Sequence, residues 1–244
     1  MKIFSKELVV SLLTVTVSGF MGITNANAQE FTVQGDLVSS YVWRGMYQTG
    51  ASFQPTLAFS VGGFSLTAWG STDFDGYAST EGMANKEIDL TAAYTFGESG
   101  LTLSVADLWW AGQGRGKYFN FKSHETAHHF EAGLAYTLPV EKFPLSIAWY
   151  TMFAGMDKKL NDKGEEKQNY SSLKSVDLNV TCGIVPYKAA RQYNCNGFAV
   201  TNVALKGTTA IRLTDKFSLP VFAQAIWNPR MEDAHLVFGI TLRP

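Results

Sequence analysis

Between residues 31 and 44 the side chains change character at every step: Phe31, Val33, Leu37, Tyr41 and Trp43 alternate with Thr32, Gln34, Asp36, Ser40 and Arg44. Successive side chains of a strand point to opposite faces, so this spacing predicts a strand with one greasy and one wet face. The pattern returns over residues 87–96, where Ile88, Leu90, Ala92, Tyr94 and Phe96 oppose Glu87, Asp89, Thr91, Ala93 and Thr95. It returns again with Phe130, Ala132, Leu134 and Tyr136 against His129, Glu131, Gly133 and Thr137, and with Val203, Leu205, Ile211 and Leu213 against Lys206, Thr208 and Arg212. The chain closes on Leu236, Phe238, Ile240 and Leu242 set against Gly239, Thr241 and Arg243.

Further strands are predicted over 52–61, 64–73, 101–110, 143–154, 169–175, 176–186 and 217–228. Most are about ten residues long, enough to cross a bilayer when tilted. The connections alternate short and long, as tight turns on one side of a barrel and longer loops on the other would. Only 46–51 breaks the rule. Reading 169–186 as one strand gives an odd count, whereas a bacterial single-chain barrel has an even one. Splitting it at a turn over 175–177 gives about 12 strands (a range of 10 to 12) and makes 187–197 an outside loop.

Composition narrows the class. Hydrophobic residues make up 46% of the chain and aromatics 14%. Past residue 28, however, no apolar run approaches the ~20 residues of a membrane helix. The N-terminus is charged at Lys2, Lys6 and Glu7, apolar from 8 to 23, and small at Ala26 and Ala28, which predicts a signal peptide over 1–28 cut after Ala28. Residues 29–244 are then expected to form one all-β domain, a transmembrane antiparallel β-barrel of the cell outer membrane. A net charge of -1 gives no reason to expect a nucleic-acid partner. Trp and Tyr gather where bilayer meets water, so Tyr41, Trp43, Trp109, Trp110, Trp149 and Trp227 are expected to form an aromatic belt.

A run of short motifs carries a family likeness. Ser40-Tyr41-Val42-Trp43-Arg44-Gly45 is followed by Gln54-Pro55, Gly63-Phe64 and Trp69-Gly70-Ser71. Phe119-Asn120-Phe121, His129-Phe130-Glu131, Asn228-Pro229 and Val237-Phe238-Gly239-Ile240 then come in order. In these the chain resembles the TorF family of proposed porins. The resemblance implies an outer-membrane barrel with a channel role.

The wet-face charges Asp36, Arg44, Glu87, Asp89, Glu131, Lys206, Arg212 and Arg243 are the pore-lining candidates, since charges along a lumen bias which solutes pass. The alternative for each is pairing within the lumen, where charges fasten a small barrel together. His124 to His128 reads H-E-x-x-H, but it runs into a strand, where residues four apart lie ~13 Å apart, too far for one zinc. No metal, cofactor or catalytic residue is therefore assigned. Cys182 and Cys195 either close a disulfide in an oxidising compartment or leave Cys182 as a small lipid-facing residue. The expected function is passive diffusion of small hydrophilic solutes, not catalysis. Expected partners are outer-membrane lipid, the solute, and the barrel-insertion machinery during assembly. Two alternatives stand beside this: a lipid hydrolase drawing on Ser123, His124 and His128, and a plugged structural or adhesion barrel.

Overall fold

The computed structural model describes residues 29–74, 86–111, 117–122, 125–138, 145–156, 160–161, 164–165, 169–175, 179–214 and 217–244. The predicted signal peptide over 1–28 falls outside these. Twelve strands form the wall, numbered in chain order with the short strands between them. They are β1 (Gln29–Val38), β4 (Ser52–Val61), β5 (Phe64–Asp73), β6 (Lys86–Thr95), β7 (Leu101–Ala111), β8 (His128–Thr137), β9 (Ser146–Gly155), β12 (Asn169–Ser175), β13 (Asn179–Val185), β14 (Ala199–Arg212), β15 (Ser218–Asn228) and β16 (Asp233–Leu242). Each is antiparallel to its neighbours, and β1 pairs with both β4 and β16, so the sheet closes. Closure pairs β1 with β16 over Gly35–Val38, so no wall strand is left with a free edge along its whole length.

The predicted split of 169–186 is present: β12 and β13 pair as a hairpin, Ser171 opposite Ile184 and Ser175 opposite Val180. Alternation is carried through to the two faces of the wall. Phe31, Val33, Leu57, Leu66, Leu90, Val105, Leu134, Leu205, Leu236 and Phe238 are exposed on the outside. Thr32, Ser60, Ser65, Thr67, Ser104, Ser146 and Thr208 are half-buried on the inside. The seam is tied by polar groups: Asp36 accepts hydrogen bonds from Thr241 (2.6 Å) and Gln34 (2.9 Å), and Gln34 accepts one from Arg243 Nε (3.0 Å).

One predicted strand is too long. The first wall strand stops at Val38, not Arg44, and residues 41–49 form a separate hairpin of β2 (Tyr41–Trp43) and β3 (Met46–Thr49). Its two-residue turn, Arg44-Gly45, has φ of 50° and 83°; positive φ at both central positions is what a type I′ turn requires. The chain leaves the wall at Ser39, whose N–H still reaches the Phe238 carbonyl. Tyr41 and Trp43 keep the odd-position spacing of Phe31, Val33 and Leu37, so the pattern ran on across the break. Two further short strands, β10 (Leu160–Asn161) and β11 (Gly164–Glu165), pair with each other. A single helical turn, α1 (Ala190–Tyr193), lies in the connection between β13 and β14.

Candidate functional site

The β2–β3 hairpin does not stand on the rim. Tyr41, Val42, Trp43 and Arg44 are all buried, and the contacts they make come from around the wall. Tyr41 packs on Trp69 of β5, with ring centroids 5.4 Å apart. Trp43 meets Trp110 of β7 edge-on at 5.7 Å and stacks on Tyr193 of α1 at 6.1 Å. At the tip, the Gly45 carbonyl accepts a hydrogen bond from Asn228 of β15 (2.9 Å). The hairpin therefore crosses the lumen, and α1 folds in against it.

Arg44 is the centre of this plug. Its Nη1 and Nη2 each donate to one oxygen of Glu131 on β8, both at 2.7 Å, a bidentate pair in which both side chains are 7% exposed. Three rings surround the guanidinium carbon: Trp43 at 4.3 Å, Tyr150 of β9 at 4.5 Å and Tyr170 of β12 at 4.9 Å. Burial opposes the Arg44 charge, but Glu131 beside it more than offsets this and holds the guanidinium protonated. Burial likewise pushes the Tyr41 and Tyr193 phenols up, so both keep their protons. Two features mark the arrangement as held in place by its surroundings. Arg44 takes a left-handed backbone, which costs a non-glycine residue about 1 kcal/mol. Its Nε finds no acceptor among the described residues.

The glycine next to it is a steric requirement, because a Cβ at Gly45 would run into the Thr201 carbonyl across the lumen. Gly183 serves the cage in the same way, leaving the space that the Tyr170 hydroxyl fills. That hydroxyl accepts a hydrogen bond from Asn202 (3.2 Å), which fixes its ring against Arg44.

No protein-family model matches this chain, and no curated protein matches it either.

The eight charged pore-lining candidates separate into four pairs. Arg44 and Glu131 are paired and buried instead of facing open space. Glu87 and Asp89 point inward side by side near the start of β6, each leaving one oxygen without a hydrogen-bond partner among the described residues. Asp36 and Arg243 belong to the seam. Lys206 sits over the Phe222 ring at 3.8 Å, and Arg212 reaches the Thr214 carbonyl near the short-turn rim. With Asp73 also at a strand end, carboxyl groups gather at the long-connection end of the wall.

The belt is corrected in part. Trp149 and Trp227 are exposed on the outer face, 39% and 54%. Tyr41, Trp43 and Trp110 lie inside, because a lumen twelve strands across must be filled from within if it is to close, and rings fill it best. Trp109 alternates to the outside but is covered by Tyr118, 5.3 Å away. Cys182 and Cys195 are free thiols: Cys182 lies on the outward face of β13, whereas Cys195 is buried and donates to the Tyr193 carbonyl (2.9 Å). No disulfide joins them.

Outside the wall, His128 is fully buried at the start of β8. Its Nδ1 lies 2.7 Å from Asp107 and its Nε2 contacts the Tyr118 carbonyl, while Phe121 packs on the ring at 4.4 Å. Both nitrogens are engaged, so no free imidazole nitrogen remains to act as a base. Ser123 and His124 lie outside the described residues. Sequence reasoning missed Trp69, Tyr150, Tyr170 and Tyr193 as site residues. Tyr150 and Tyr170 occupy inward positions where polar residues were expected, and that departure from alternation was the available signal.

Proposed function

We propose that this protein is an outer-membrane channel of the TorF kind for small hydrophilic solutes, held shut in this conformation by the β2–β3 hairpin. One observation carries the reading: a closed barrel with an apolar outside and Ser/Thr residues inside holds a hairpin, with α1 against it, in its lumen, and a buried ion pair, Arg44 with Glu131, fastens that hairpin. A wall built this way matches a bilayer outside and water inside. A lumen meant only to be solid would need no hydroxyl lining in its unplugged half. The outer leaflet, with Trp149 and Trp227 at its interface, is the lipid partner in this reading.

The plugged structural barrel is the second reading, favoured by the completeness with which Arg44 is enclosed. Solute flux separates the two. Folded protein in liposomes should pass small sugars, amino acids or organic acids, and Arg44→Ala should pass them faster. If neither protein passes any of them while both remain inserted, the channel reading fails.

A further inference from the structure

Arg44 occupies its surroundings as a ligand occupies a pocket. Glu131, Tyr150 and Tyr170 belong to three consecutive strands of the wall, β8, β9 and β12, and are each more than nine-tenths buried. They belong to the wall, whereas Arg44 and Trp43 belong to the hairpin. What they offer is specific: a carboxylate presenting both oxygens in the plane of a fork donor, and two ring faces within 5 Å of the cation. This combination recognises planar, delocalised cations, because bidentate hydrogen bonds fix the donor plane while ring quadrupoles attract its face. Other carboxyl groups, Glu87 and Asp89, line the same end of the lumen, and none of the three wall groups is a cation. The occupant is imperfect on its own account, with a left-handed backbone and an unsatisfied Nε. A free guanidinium compound would carry no backbone strain.

We propose that Glu131, Tyr150 and Tyr170 form a binding cage for a guanidinium-bearing solute, and that Arg44 of the hairpin fills it as an internal stand-in. This rests on the channel reading and names its solute class. Solute and Arg44 compete for one site, so binding favours the displaced hairpin and couples recognition to opening. A ligand moves that equilibrium only by its preference for the open state, and a cage that accepts solute only when Arg44 has left supplies such a preference.

The test uses the whole mature chain folded in detergent micelles, with methylguanidinium as probe and N-methylurea as its neutral isostere. In Arg44→Ala, methylguanidinium should raise the melting temperature saturably and N-methylurea should not. Adding Glu131→Gln should weaken the effect at least about tenfold, the loss expected for a charged hydrogen-bonding partner. Wild-type protein gives a second readout that does not depend on the variant folding. Methylguanidinium, but not N-methylurea, should speed hydrogen exchange of residues 41–49. No saturable stabilisation of folded Arg44→Ala would overturn the proposal, as would an equal effect of N-methylurea or an unchanged effect in Arg44→Ala/Glu131→Gln. Should Arg44→Ala not fold, wild-type exchange unaltered by methylguanidinium overturns it alone. Neither readout needs a bilayer, so a failure here leaves the flux result standing, and a barrel that binds the probe but passes no solute fails the channel reading only.

Discussion

Arg44 and Glu131 make a pair whose worth differs from the cost of breaking it. Two desolvated charges gain little over apolar replacements, but removing one partner strands the other and costs roughly 3–5 kcal/mol. Here that cost falls on the hairpin before it falls on the wall, because the twelve-strand ladder does not pass through either side chain. Glu131→Gln should therefore release the hairpin while the barrel stays folded. Trypsin reports this directly: the Arg44-Gly45 bond should resist cleavage in the wild-type protein and be cut in Glu131→Gln, and an uncut variant would show that the pair does not hold the hairpin. Gly45→Ala should behave alike for a different reason. Its positive φ and the Thr201 carbonyl leave no room for a methyl group, so the same trypsin assay should show cleavage, with the circular dichroism of the strands unchanged.

At the level of elements, most of the wall was legible because each strand obeys a single constraint, apolar outside and polar inside, that period two encodes. Residues 52–61, 64–73 and 169–175 were bounded to the residue. The constraint fails where side chains meet protein on both faces. Tyr41 and Trp43 keep the odd-position spacing of a wall strand, yet Tyr41, Val42, Trp43 and Arg44 are all buried, so both faces of β2 meet protein. No local pattern separates lipid from a crowded lumen, since both reward aromatic residues. The turn itself carried a weak sign: Arg44-Gly45 between two alternating segments fits a two-residue hairpin, though Asn or Asp before the glycine would have been the stronger signal. The even count of wall strands places both ends of the described chain at the short-turn rim, opposite the long connections. In a Cys182→Ser/Cys195→Ser background, Asn196→Cys should react with an impermeant maleimide on intact cells, and Glu98→Cys only after the outer membrane is permeabilised. The reverse order would invert the barrel in the membrane.

For the whole molecule, a closed sheet and an inward hairpin divide two tasks. Closure gives a wall without edges, insensitive to what the connections do. The hairpin and α1 fill it from within, and the hairpin is joined to that wall by polar contacts that include Arg44 to Glu131, Asn228 to Gly45, Tyr41 to Glu87 and Thr49 to Ser52. Stability and gating can then be changed separately, which a barrel sealed by its own wall residues would not allow. The most direct test is single-channel recording in planar bilayers, comparing wild type with Glu131→Gln at equal insertion. The account predicts rare, brief openings for wild type and frequent, discrete openings of larger conductance once the hairpin is released. A folded Glu131→Gln barrel, cut by trypsin after Arg44 yet electrically silent, would contradict it.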